Sequence, residues 1–141
     1  MKLQTAIRST VAIVVLLFGL LVAGGSPATA APSGPSQVAA ASYADCPSGN
    51  VCFYTGNGGT GSMCRWSDAD PDWSAGSVRC SWAQTQPARS VYNHGQSTAY
   101  TAVAFYIGRN YTSYNGCMGR GWMGDIGPVF LLSHRWYNGA C

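Results

Sequence analysis

From Val11 to Val22 the chain is apolar and uncharged; after that, apolar residues come only in short bursts. Val51 to Thr55, Ser62 to Trp66, Ala88 to Tyr92, Tyr100 to Ile107 and Val129 to Trp136 are β-branched or aromatic runs. Clusters of Gly, Asn and Ser bound them, so they read as strands. No later stretch combines 3.6-residue periodicity with helix caps, and a short turn near Pro71 or Pro87 is the most helix expected. Many short strands joined by glycine-rich turns predict an all-β sandwich or Greek-key domain.

The first apolar run has another meaning. Lys2 and Arg8 precede it, and Ala28-Thr29-Ala30 follows as an A-x-A cleavage signature. Its length of about twelve residues falls short of the roughly twenty needed to cross a membrane. Residues 1–30 therefore read as a secretory signal peptide, with cleavage after Ala41 as the lesser alternative. No cysteine lies at either cut, which argues against a lipid anchor. Residues 31–44, rich in Ala, Ser, Pro and Gly, read as a disordered leader. Residues 45–141 are the expected domain of a secreted, extracellular protein with no membrane association after processing.

That domain repeats itself. Phe53-Tyr54 recurs as Phe105-Tyr106, and Gly56 recurs as Gly108 at the same offset. Each copy runs through a Gly/Asn-rich turn to a cysteine, Cys64 or Cys117, and later carries a strand-like run with an internal serine, Ser90 or Ser133. One structural unit built twice is implied, with copies at about 51–95 and 102–138.

Composition narrows the chemistry. Six cysteines, an even number in a small exported domain, read as three disulfides. Many connectivities are open; sequence proximity and the repeat favour Cys46–Cys52, Cys64–Cys80 and Cys117–Cys141. Zinc held by thiols with His94 and His134 is the alternative, disfavoured by the absence of a C-x-x-C pair and by an oxidising compartment. The whole chain carries +3; without Lys2 and Arg8, six Arg against five Asp leave +1. That is no footprint for nucleic acid or anionic membrane. Five Trp and eight Tyr instead suggest contact surfaces for protein or sugar.

The two copies resemble the βγ-crystallin Greek key, marked by aromatic, four residues, aromatic, one residue, glycine, and a later serine closing over the hairpin. Copy one offers Tyr54 and Gly61 but has Gly59 at the second aromatic position; copy two offers Tyr106 and Tyr111 but has Ser113 at the glycine. Ser90 and Ser133 match the closing serines. The glycine takes a backbone conformation disfavoured by a Cβ, and the ring packs over the turn.

From Cys46 to Cys141 the domain also resembles peptidase inhibitor family 36, the exported family of the Streptomyces metalloproteinase inhibitor, whose fold is βγ-crystallin-like. Cys46-Pro47-Ser48-Gly49-Asn50-Val51-Cys52-Phe53-Tyr54 carries the resemblance, with Asn110-Tyr111, Gly116-Cys117 and Ser133-His134-Arg135-Trp136. It implies inhibition of thermolysin-like zinc proteases by a substrate-like loop. Such enzymes take an apolar side chain just after the scissile bond, in the S1′ pocket. A loop pinned at its ends has met its ordering cost before binding. In the founding inhibitor the reactive bond follows a cysteine bridged to one near the C-terminus, and Cys117–Met118 with Cys141 is the matching place. Met118 would fill the pocket and the Cys117 carbonyl would approach the zinc. The competing reading makes Cys117 and Met118 strand or turn residues around a structural disulfide.

Other motifs weigh less. Gly56-Asn57-Gly58-Gly59-Thr60-Gly61 fits G-x-G-x-x-G, yet no helix pattern follows, so it reads as a hairpin turn. Gly95-Gln96-Ser97-Thr98-Ala99 lacks the last glycine of a nucleophile elbow, leaving Ser97 a loop residue. Asp68, Asp70 and Asp72 begin like a calcium loop, but Trp73 and Arg79 stand where glycine and glutamate are needed. The calcium sequences of crystallin keys are missing before Ser90 and Ser133. No H-E-x-x-H and no paired Glu exist; His94 reads as a turn residue and His134 as a strand residue facing out. Asn110-Tyr111-Thr112 is a glycosylation sequon.

The expectation is thus a non-enzymatic, secreted protease inhibitor, monomeric and without cofactor or metal, whose partner is a thermolysin-like protease. A carbohydrate- or wall-binding module resting on Trp66, Trp73, Trp82, Trp122 and Trp136 is the second reading. A small toxin-like or structural β domain is the third.

Overall fold

The computed structural model describes residues 41–141; the expected signal peptide and the expected leader up to residue 40 lie outside the described residues. Among the described residues seven strands form two antiparallel sheets. They are β1 (Val51–Tyr54), β2 (Met63–Trp66), β3 (Ala88–Asn93), β4 (Ala102–Tyr106), β5 (Tyr114–Gly119), β6 (Met123–Val129) and β7 (Ser133–Tyr137). One sheet has the order β2-β1-β3-β6, the other β5-β4-β7. The protein is an all-β, disulfide-stapled sandwich.

β1 and β4 carry the repeated Phe-Tyr and lie inside their sheets, buried along their whole length. Alternation sorts their side chains between two faces. Val51 and Phe53 enter the main core, while Cys52 and Tyr54 form a second, smaller cluster with Cys46 and Tyr43. Tyr43, placed by composition in the 31–44 leader, therefore packs with the domain. Its ring stands 5.4 Å from that of Tyr54 and fills the space that a Cβ on Gly59 would need. The second aromatic missing from the first copy is supplied in space by a residue that precedes it.

The halves exchange segments. β6 of the second half pairs with β3 of the first, and Asp70 of the first half bridges His134 in β7. Each β-turn is held by the segment received from the other half. The Gly58 N–H donates to Asp125 Oδ1 at 2.7 Å, and the corresponding Asn110 N–H donates to the Pro71 carbonyl at 2.7 Å.

The long segment between β2 and β3 contains no strand but delivers Trp73, Cys80, Trp82 and Ala83 to the core. Trp66 stacks on Trp73 with ring centroids 4.6 Å apart, and Phe53 sits 4.7 Å from Trp73. The Cys64–Cys80 disulfide closes this segment across 16 residues, a loop whose closure is worth about 3 kcal/mol in the chain-entropy picture.

Three expectations change. His134 does not face out: it is fully buried, accepts the Trp73 indole N–H on Nδ1 at 2.8 Å and donates from Nε2 to the Asp68 carbonyl at 3.0 Å. Burial pushes its pKa down to about 3, because the charged imidazolium would lose its hydration there. The run Val129 to Trp136 is two elements rather than one, since β6 ends at Val129 and β7 starts at Ser133 in the other sheet. β5 and most of β6 carry no strand signal in the sequence. They are short of β-branched residues and largely half-buried or exposed, so neither hydrophobic signal marks them.

Candidate functional site

The two duplicated turns close in the same way, but only one is built from glycine. In copy one the Ser90 hydroxyl donates to the Gly56 carbonyl at 2.7 Å and accepts the Gly59 N–H at 3.0 Å. In copy two Ser133 donates to the Gly108 carbonyl at 2.6 Å and accepts the Tyr111 N–H at 3.1 Å. Gly58, Gly59 and Gly61 all have positive φ; Asn110, Tyr111 and Ser113 hold the matching places, also at positive φ. A side chain in that region costs about 1–2 kcal/mol per residue, least for Asn. The Tyr111 ring is anchored there by Arg135, whose guanidinium lies 5.5 Å from both the Tyr106 and Tyr111 rings.

Cys117 and Met118 fall in the middle of β5, opposite Ala104 and Val103 of β4, rather than in a loop. β5 is an edge strand of its sheet. Three devices fix the pair. The β4 ladder holds one side of the strand, and a disulfide ties Cys117 to Cys141 at the chain's end. The third is Asn93, at the end of β3. Fully buried, it donates from Nδ2 to the Met118 carbonyl at 2.8 Å. Its own N–H donates to the Trp122 carbonyl at 3.0 Å, and its carbonyl accepts the Gly121 N–H at 2.8 Å. Asn93 Oδ1 accepts the Gly95 N–H at 3.1 Å. All of its polar groups are engaged, three of them on the segment 118–122. Nothing in Asn93-His94-Gly95 distinguishes this from an ordinary turn asparagine, so sequence reasoning missed it.

The surface around this segment is apolar. Trp122, in the β5–β6 turn, is 72% exposed, and Met123 next to it is also exposed, as is Tyr114 at the opposite end of β5. Cys117, Met118, Gly119, Trp122 and Cys141 line a shallow depression. The Met118 side chain is half-buried, packed against the edge of the main core. A largely apolar edge with a pinned backbone suits contact with an extended polypeptide, through main-chain bonding and one or two side-chain anchors.

The remaining candidates are accounted for locally. Cys46–Cys52, Cys64–Cys80 and Cys117–Cys141 are disulfides and no described cysteine is free, so the zinc alternative has no thiols. Asp70 Oδ1 accepts the Asp72 N–H and Asp68 Oδ2 accepts the Ser67 hydroxyl. Asp72 accepts the Ser74 hydroxyl and pairs with Arg109 at 2.9 Å; both lower its pKa, Ser74 first. Among the described residues no group of three metal-ligating side chains converges. Gly56–Gly61 is the β1–β2 turn, and Ser97 lies outside the strands. His94 donates from Nδ1 to the Cys46 carbonyl at 2.9 Å and stacks on Tyr92. Of the five tryptophans offered for sugar binding, Trp66, Trp73 and Trp82 are buried and unavailable.

A small disulfide-stapled β sandwich with a braced, apolar edge strand is the kind of scaffold that serves as a protein-binding inhibitor. The family model for peptidase inhibitor family I36 matches residues 39–118, and the chain belongs to that family. The matched region runs through β1–β5 and ends on Met118. No curated protein and no solved structure matches the chain.

Proposed function

We propose that this chain is exported, trimmed after Ala30, and inhibits thermolysin-like zinc proteases by offering the Cys117–Met118 bond as a bound, slowly turned-over substrate. The observation that carries this reading is the bracing of one peptide segment from three directions: the β4 ladder, the Cys117–Cys141 bridge and the Asn93 amide. A segment held extended before binding loses little entropy on entering an active-site cleft. Tethering to β4 and Cys141 also retains both ends after a cut, so that the bond can re-form.

In this reading the Cys117 carbonyl is presented to the catalytic zinc and Met118 to the S1′ pocket. Met is unbranched and polarisable, so it can swing from the margin of the core into an apolar pocket. Trp122 supplies a neighbouring anchor. The βγ-crystallin-like double Greek key belongs to the same proposal, supported by the two closing serines and the exchanged segments.

The test is an inhibition assay of the refolded mature domain against thermolysin and subtilisin, with Met118→Asp beside it. Wild type inhibiting thermolysin selectively, and a folded Met118→Asp losing that inhibition by about 30-fold or more, is the expected result for a hot-spot residue. Unchanged inhibition by the variant removes Cys117–Met118 as the reactive bond. No inhibition by wild type removes the reading.

A further inference from the structure

Beside the braced segment lies a separate cleft of about 360 Å³, lined by Asp68, Gln96, Ser97, Tyr100, Arg120 and Trp136. That volume is at the low end of small-ligand sites. Its apolar component is a pair of rings: Tyr100 and Trp136 are 6.4 Å apart with planes 29° from parallel. Tyr100 is 41% exposed. Trp136 is held in place, since its Nε1–H donates to the Ser67 carbonyl at 2.9 Å and the Gly95 backbone lies so close to the indole that a Cβ there would come within 2.8 Å of it.

The polar component faces these rings and is not used up. Asp68 uses one carboxylate oxygen on the Ser67 hydroxyl and pairs with no cation; the ion pair among the described residues is Arg109–Asp72. Gln96 donates to the His94 carbonyl, leaving its own carbonyl oxygen free. Arg120 engages the Ser97 carbonyl through one nitrogen and retains further N–H donors. Fixed rings, an acid, an amide, a hydroxyl and a guanidinium around one concavity suit a ligand with an apolar C–H face and a rim of hydroxyls. Hydroxyls both donate and accept, and the C–H face lies against the negative π-face of an aromatic ring. The near-neutral charge of the domain matches an uncharged ligand.

From this juxtaposition we infer that the Tyr100–Trp136 cleft is a binding subsite for a neutral saccharide, taking one or two pyranose rings with their C–H faces on the aromatic pair. The site is distinct from the proposed reactive bond and stands whether or not Cys117–Met118 is that bond. It would hold the protein near polysaccharide surfaces by weak, repeated contacts.

The experiment is a titration of the mature protein with chitotetraose, cellotetraose and xylotetraose, each to about 10 mM, a range that covers affinities of the millimolar class. Tryptophan fluorescence reports binding as such, and amide NMR shifts at residues 95–100, 120 and 136 locate the ligand. Saturable binding of at least one oligosaccharide, weakened about tenfold in Tyr100→Ala, is the expected outcome, a tenfold loss being the scale of one aromatic contact. Tyr100 is exposed, so this variant keeps its fold; Gln96→Ala is the second variant should it not. No saturable change with any of the three sugars overturns the proposal. So does binding that both variants leave unchanged, or NMR shifts confined to another face.

Discussion

The side-chain amide of Asn93 donates to the main-chain carbonyl of Met118 across 2.8 Å, from the first half of the chain to the edge strand of the second. Asn93→Asp preserves shape and the acceptor for Gly95 but sets a carboxylate oxygen against the Met118 carbonyl. A buried acceptor left unpaired costs about 1–3 kcal/mol, and a buried carboxylate costs more. Urea denaturation is expected to show a loss of at least that size. Incubation with thermolysin, followed by mass spectrometry, should show faster cleavage in segment 117–122 than in wild type. Equal cleavage rates would separate the bracing from inhibition.

In the proposed function Trp122 is a contact residue rather than a support of the fold. Being 72% exposed, Trp122→Ala is expected to change stability by no more than about 0.5 kcal/mol. Inhibition should nevertheless weaken, as for a truncated aromatic anchor. Thermal melts alongside inhibition constants distinguish the two effects.

Ser113 stands at positive φ, where the first copy has Gly61. Its side chain is exposed and makes no hydrogen bond. Ser113→Gly trades about 1–2 kcal/mol of left-handed strain against about 0.5–1 kcal/mol of added chain entropy. The expected result is a slightly more stable protein. The mirror change, Gly61→Ser, should destabilise, because its Cβ would meet Thr55 Oγ1. Denaturation midpoints of the pair decide the matter.

Acid should unfold this protein through His134. Its folded pKa, near 3, lies below the ordinary 6.5, so the folded state binds the proton more weakly than the unfolded chain. Stability is then full above pH about 6.5 and is lost as pH falls toward 3, by an amount on the order of 4 kcal/mol at the extreme. Asp72, whose pKa is also lowered, acts in the same direction at the acid end. His134→Gln keeps an acceptor for the Trp73 indole but does not titrate. Its melting temperature should be lower at pH 7 and flatter between pH 6.5 and 4. A wild-type slope in the variant would assign the acid sensitivity to carboxylates.

The strands legible in the sequence were those whose residues enter the core: β1 through Val51 and Phe53, β3 through Val91, β4 through Val103 and Phe105. β5 escaped because Asn115, Gly116 and Gly119 break any hydrophobic alternation; the neighbouring sheet strand, not local preference, makes it extended. The duplicated serines were readable from the repeat. His134 departs from the expected outward orientation, which a polar residue in an amphipathic strand normally takes. Its burial depends on an indole from Trp73, 61 positions away in the chain. The Asn93 brace is legible only once β3 and β5 are brought together. Tyr43 was hidden by the composition around it, since a single ring in an Ala/Ser stretch carries no periodic signal.

The exchange of β6 and the Asp70 segment between the halves has a consequence for a molecule that lives among proteases. A single cut in the connection between residues 94 and 101 would not release either half, because each remains threaded into a sheet owned by the other. Cleavage and disassembly are thereby uncoupled. The chain can be nicked and still present an intact surface, and its lifetime is set by the opening of the whole sandwich rather than by its most accessible bond.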